Sequence, residues 1–180
     1  MTPTPDKSRL RLETETPSEQ HAAVRGFSLI ELMVTVAVLA VLLGIAAPSF
    51  DNIALSSRLT SYANEIVASA NLARSEAFKR NATVKLCVSS NGTSCGSGGW
   101  QQGWIVIAGT TVLQAQPALP SGYRLAGTSA EIDFQPTGVG ATQASINICR
   151  ATPIGSQERI VSISITGRSS VTKTTNGVCL

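Results

Sequence analysis

The sequence has little histidine, few aromatic residues and little charge, and each shortage excludes a class of function. Among 180 residues His21 is the one histidine, 4% are aromatic and 14% are charged. Once the residues before position 27 are removed, no histidine remains for Ser-His-Asp or Cys-His catalysis or for a His-ligated metal. No two cysteines are spaced as C-x-x-C and no paired-carboxylate motif occurs. We therefore expect no enzyme, no metal site and no cofactor.

The length and composition predict one ordinary folded domain. With 43% apolar residues, a chain of this length builds one hydrophobic core and not comfortably two. The low charged fraction excludes a disordered polyelectrolyte. The net charge of +3 is too small to indicate a nucleic-acid partner by itself.

The longest apolar run is Leu29–Ala47, in which Glu31 and Thr35 are the strongly polar residues. As a helix it is about 28 Å long, enough for one hydrocarbon core, so we predict a single membrane-spanning helix. Small residues at Ala46–Ala47 allow cleavage after the run, as in a secretory signal peptide. Cleavage before the run, at Gly26–Phe27, is the alternative, and it keeps the run as an anchor.

The residues around that second site carry a family motif. Gly26-Phe27-Ser28-Leu29-Ile30-Glu31-Leu32 resembles the cleavage motif of type IV prepilins and type II secretion pseudopilins. The resemblance implies that a prepilin peptidase removes residues 1–26 and methylates Phe27, and that residues 27–50 form a transmembrane and assembly helix. It implies an inner-membrane protein with one span, a periplasmic domain at residues 51–180 and a place in a pilus or pseudopilus.

The carboxylate of Glu31 has two explanations. A shallow carboxylate in a membrane helix is tolerated by snorkelling or protonation and needs no function. The resemblance implies instead that Glu31 pairs with the N-terminal amine of a neighbouring subunit, which neutralises two charges in an apolar filament core.

The rest of the chain predicts an α+β fold. Apolar residues from Leu55 to Ala77 recur at steps of three and four, so the helix is expected to continue to about Arg80. Short apolar segments with intervening turns then predict antiparallel strands. These are Thr83–Ser89, Trp104–Ala108, Thr111–Gln114, Tyr123–Ala126, Glu131–Phe134, Ala144–Cys149 and Arg159–Ile165.

Segments of this half resemble the FimT/GspH group of minor type IV pilins and minor pseudopilins. They are Ala73-Arg74-Ser75-Glu76-Ala77, Trp104-Ile105-Val106-Ile107, Ile132-Asp133-Phe134 and Ile165-Thr166-Gly167-Arg168. The resemblance implies a pilin-type fold, with other major and minor pilins or pseudopilins as partners. It implies a FimT-like minor pilin that acts in pilus assembly or priming, or alternatively a GspH-like minor pseudopilin of type II secretion.

All four cysteines lie in the predicted periplasmic domain, where disulfides persist. Four cysteines permit three pairings, and pairing between sequence neighbours is the simplest: Cys87 with Cys95, and Cys149 with Cys179.

The C-terminal tail is basic, with Arg150, Arg159, Arg168 and Lys173 against Glu158. Such a tail suits weak, salt-sensitive and sequence-independent contacts with double-stranded DNA phosphates, and we expect Arg168, Lys173 and Arg150 to make them. Transformation-associated members of the group carry Gly-Arg-any-Arg here, whereas this chain has Gly167-Arg168-Ser169-Ser170, without the second arginine. Ordinary solvated surface charge is the alternative explanation.

Overall fold

The computed structural model describes residues 26–139, 141–175 and 179, with the backbone alone for residues 45–49. The chain divides into two units, Met1–Leu42 and Leu43–Leu180. The described part of the first unit is the beginning of helix α1, which spans Leu29–Arg80. The second unit holds the remainder of α1 and every described strand.

Within the described residues, eight strands follow α1, with a short 3₁₀ helix at Trp100–Gln102. They are β1 (Val84–Val88), β2 (Trp104–Ala108), β3 (Thr111–Gln116), β4 (Tyr123–Gly127), β5 (Glu131–Phe134), β6 (Ala144–Arg150), β7 (Glu158–Ile163) and β8 (Ser169–Thr174). They form two antiparallel sheets, with strand orders β3-β2-β1-β5 and β4-β6-β7-β8. A long helix followed by antiparallel sheet confirms the predicted α+β class.

The apolar stripe of α1 is the centre of the core. Its buried positions are at most 1% exposed and follow the helical period: Leu55, Leu59, Ala63, Ile66, Ala70, Ala73 and Ala77. They pack with inward-facing residues of both sheets into one cluster. Tyr62 is half-buried at the margin of this stripe, and its ring lies edge-to-face with that of Tyr123 at 5.1 Å between ring centroids.

Two buried tryptophans are each held by a hydrogen bond from the indole N–H. The Nε1–H of Trp104 donates to Ser69 Oγ on α1 at 3.0 Å, and both residues are fully buried. The Nε1–H of Trp100 donates to the carbonyl of Ser129 at 2.9 Å. Because a buried indole N–H needs an acceptor, these bonds fix the rings in place.

Strand β8 is the element that the sequence did not predict. Its residues are Ser-Ser-Val-Thr-Lys-Thr, with Val171 as the one apolar side chain. It pairs with β7 through the backbone at the edge of the second sheet, and its central positions are exposed. An edge strand that buries so little lacks the hydrophobic alternation on which strand prediction depends.

Candidate functional site

The residues of the predicted cleavage motif lie at the start of α1. Gly26 and Phe27 precede the helix, and the predicted leader before Gly26 lies outside the described residues. The Oγ of Ser28 accepts a hydrogen bond from the backbone N–H of Glu31 at 3.2 Å. Ser28 therefore caps the helix, and Ser-x-x-Glu is the pattern of a capping box. This hydrogen bond uses the backbone amide of Glu31 and not its carboxylate.

Beyond the cap, the described side chains of α1 up to Leu43 are exposed and, apart from Thr35, apolar. Twelve large apolar residues from Phe27 to Leu43 are each 54–78% exposed. The other strongly polar side chain, Thr35, donates its hydroxyl to the carbonyl of Leu32 on the same helix. Exposed apolar surface of this extent marks contact with a membrane or with other protein chains.

Within the described residues, no helix carries an apolar stretch long enough to cross a membrane. The predicted span, Leu29–Ala47, includes residues 45–47, whose side chains lie outside the described ones. The span therefore stays a prediction.

Each disulfide joins two cysteines that follow one another in the order of the four cysteines along the chain. Cys87 on β1 is bonded to Cys95, and Cys149 on β6 is bonded to Cys179. The first closes the loop between β1 and β2, and the second fastens Cys179 to β6 of the second sheet. This is the pairing that the sequence argument favoured among three.

Of the three residues predicted to contact DNA, Arg150 is already in an ion pair within the protein. Its guanidinium donates to both carboxylate oxygens of Asp51 on α1, at 2.9 and 3.1 Å, and its side chain is 14% exposed. This hydrogen-bonded guanidinium lowers the pKa of the Asp51 carboxyl below its usual range. Arg150 thus fastens the end of β6 to α1.

The other two, Arg168 and Lys173, are exposed: Arg168 directly precedes β8, and Lys173 lies near its far end. They are five residues apart, which is about 17 Å of extended chain. Lys173 is opposite Arg159 in register. The structure therefore does not bring the three predicted cations together.

Another cation, Arg74 on α1, lies beside Gly167, the residue that precedes Arg168. An added Cβ at Gly167 would stand 3.3 Å from the Cδ of Arg74, so the turn before Arg168 packs on that side chain. Arg74 makes no ion pair within the described part of the chain, whereas its neighbours Lys79 and Arg80 both bind Glu76. We call Arg74 and Arg168 the cationic corner.

Two family models match this chain. The model described as type II transport protein GspH matches residues 62–167, which is more than half of the sequence. The chain belongs to the GspH family. The model of the prokaryotic N-terminal methylation motif matches residues 22–47 of this GspH-family chain, around Gly26 and Glu31.

Two solved structures are similar to this chain. The type IV minor pilin FimU of Pseudomonas aeruginosa PAO1 is 20% identical, covers 63% of this chain and 92% of its own, and has a TM-score of 0.50. The minor pseudopilin EpsH from the type 2 secretion system of Vibrio cholerae is 12% identical, covers 63% and 95%, and has a TM-score of 0.48. No curated protein matches the GspH-family chain. The likeness to FimU establishes a minor-pilin fold, in agreement with the predicted fold class.

Proposed function

We propose that this GspH-family chain is a minor type IV pilin of the FimT kind, which enters a helical filament through residues 27–50. The family and the N-terminal methylation motif are those of membrane-anchored pilin-type subunits. The observation that carries the proposal is the exposed apolar surface from Phe27 to Leu43, which contains a single carboxylate, Glu31.

Glu31 and the new N-terminus are complementary within this surface. Cleavage after Gly26 creates a positive amine on Phe27, four residues before the carboxylate. When subunits pack side by side, the amine of one subunit neutralises the carboxylate of another. An unpaired charge in such an environment costs several kcal/mol, so the pair selects subunits in correct register.

The cap at Ser28 stabilises the start of the same helix, and experiment separates its effect from that of the Glu31 charge. Glu31→Ala and Glu31→Gln both remove the charge, whereas Ser28→Ala removes the cap and keeps the charge. Thr35→Ala is the matched control, because its hydroxyl bonds only to its own helix. Membrane insertion should survive in all four variants, since it depends on apolarity.

The measurement is the amount of each variant in sheared filaments and in membranes of its own cells, with mass spectrometry of the N-terminus. We expect methylated Phe27 in the parent and loss of filament incorporation for both Glu31 variants only. Equal loss for Ser28→Ala, which keeps the carboxylate, would contradict a specific role for the Glu31 charge. An intact leader, or an N-terminus near Ser49, would refute the pilin proposal.

The alternative is a GspH-like minor pseudopilin of type II secretion. Four cysteines and a basic tail favour the pilus assignment modestly. Deleting the coding sequence from its own cells separates the two: a minor pilin is required for surface pili, and a minor pseudopilin for the release of secreted proteins. Secretion loss with intact pili would establish the alternative.

A second proposed activity is weak, sequence-independent binding of double-stranded DNA at the cationic corner. It is supported by the exposure of Arg168 and by the packing of its turn on Arg74. Two guanidinium groups on one corner can contact neighbouring phosphates, which Arg168 and Lys173, one before β8 and the other near its far end, cannot do as readily.

Salt titration of DNA binding tests this with matched variants. In the full chain, Arg168→Gln and Arg74→Gln should each lower affinity and reduce the slope of log affinity against log salt by about 0.9. Lys173→Gln removes an equal charge from β8 and should change the slope little. Equal effects of Lys173→Gln and Arg168→Gln would indicate diffuse attraction without a corner site.

A further inference from the structure

A small polar cleft lies where the first turns of the second unit's helix meet the end of β6. Its volume is about 290 Å³. It is lined by Asp51, Ala54, Leu55, Arg58, Tyr123, Arg150, Thr152 and Pro153. The four helix residues share one face of α1, because they are spaced at three, four and seven positions.

The cleft holds one positive charge in excess. Asp51 neutralises Arg150 through the two-bonded ion pair described above. Arg58 is exposed and makes no ion pair or hydrogen bond among the described residues. In addition, the Nε of Arg150 is buried and lacks a hydrogen-bond acceptor within the described part of the protein. The cleft therefore suits a ligand with one negative charge and several acceptor oxygens.

The place of the cleft along α1 indicates the source of such a ligand. Asp51 follows Ala47, the end of the predicted span, by four residues, or about 6 Å of helix, and Arg58 follows it by about 17 Å. The headgroup layer on each side of a bilayer is about 5–8 Å thick. Because Cβ atoms tilt toward the helix N-terminus, the long side chain of Arg58 starts back toward that layer.

We infer that the Arg58–Arg150 cleft binds the phosphodiester headgroup of an anionic phospholipid at the outer surface of the inner membrane. The inference rests on the proposed anchoring of residues 27–50. A phosphodiester with one net charge matches the excess charge of the cleft without displacing Asp51. Guanidinium groups bind phosphate through paired N–H donors, which an ammonium group does not offer. The contact would hold the domain at the membrane before the subunit enters a filament.

Lipid retention by the full chain tests the site. The protein is placed in nanodiscs of phosphatidylcholine containing increasing phosphatidylglycerol, and native mass spectrometry counts the phosphatidylglycerol molecules that remain bound after release. Arg58→Gln removes the unpaired cation. Arg124→Gln is the matched control, since Arg124 is exposed and, directly after Tyr123 on β4, faces the other side of the sheet. A parallel arm adds inorganic phosphate as a competitor.

We expect one retained phosphatidylglycerol per chain, an affinity about tenfold lower for Arg58→Gln, and no change for Arg124→Gln. Equal retention by the parent and Arg58→Gln would overturn the site. Displacement by inorganic phosphate would overturn the lipid as its ligand while leaving an anion site. A chain that does not enter nanodiscs would overturn the anchor, and the headgroup assignment with it. Unchanged thermal unfolding of both variants excludes misfolding as the cause.

Discussion

The guanidinium of Arg159 offers the sharpest test of how the second sheet is fastened to α1. This residue is 5% exposed and has no carboxylate partner within the described part of the chain. Its Nη2 donates to Ser56 Oγ at 2.8 Å and to the Ser56 carbonyl at 3.4 Å. Its Nε donates to Thr60 Oγ1 at 3.3 Å, and Nη1 to its neighbour's carbonyl, that of Glu158, at 2.9 Å.

We predict that Ser56→Ala destabilises the protein by about 1.5–3 kcal/mol, because it removes the shortest bond to a buried charge. Thr60→Ala should cost only about 0.5 kcal/mol, since its bond is long and its side chain is exposed. Arg159→Met removes the charge together with its need for partners, so Ser56→Ala in that background should cost less than about 0.5 kcal/mol. The coupling energy between the two sites is then roughly 1–2.5 kcal/mol.

Urea unfolding of the full chain in a mild detergent, followed by the fluorescence of buried Trp100 and Trp104, measures these differences. Ser57→Ala is the control, since the adjacent hydroxyl is exposed and its loss should change stability by less than about 0.5 kcal/mol. An equal loss of stability in Ser56→Ala and Ser57→Ala would refute the role of the Ser56 hydroxyl in holding the guanidinium. An equal cost of Ser56→Ala in the parent and in the Arg159→Met background would refute it as well.

Three further predictions address other contacts. Ser69→Ala should destabilise by about 1–3 kcal/mol in the same assay, because it leaves the buried Trp104 N–H without an acceptor, and Ser61→Ala on the exposed face should not. Arg150→Gln should raise the pKa of the Asp51 carboxyl toward its ordinary value in an NMR titration. Since the pKa of Asp51 is lowered in the folded parent protein, the ion pair contributes its full stability above the unfolded-state pKa of about 3.9. That stability is lost as the pH falls through the pKa of Asp51 in the folded protein. The same Asp51 pKa in Arg150→Gln and in the parent would contradict the role of Arg150. Replacing Cys149 and Cys179 together by serine should cost about 3–4 kcal/mol for a 30-residue separation, and unaltered urea midpoints would show that this disulfide does not constrain the chain.

The sequence predicted what depends on local pattern. The stripe from Leu55 to Ala77 repeats at the helical period, and strands such as β2 are short apolar segments between turns, so both were found within a few residues. The cap at Ser28 is also local, but it was not predicted, because the family motif already offered an explanation for Glu31. Strand β8 was missed because its pairing uses backbone groups, which leave no hydrophobic signature.

The partners of the charged residues could not be predicted, because they are distant in sequence. Arg150 and Asp51 are 99 residues apart, as are Arg159 and Thr60. In the sequence, Arg150 and Arg159 both belong to a basic tail. In the structure, their hydrogen bonds connect the second sheet to α1. Likewise, Lys85 on β1 forms ion pairs with Glu131 and Asp133, which both lie on β5.

Because of these internal contacts, only part of the positive charge is available to other molecules. Residues 51–180 contain ten basic and six acidic side chains. Within the described residues, ion pairs engage Lys79, Arg80, Lys85 and Arg150, and hydroxyls and carbonyls hold Arg159. The remaining cations include Arg58 near the start of the domain helix and Arg74 sixteen residues later, about 24 Å along α1. Sites so far apart without shared partners act additively. The proposed headgroup contact at Arg58 and the proposed DNA contact at the cationic corner can therefore be tested independently of each other.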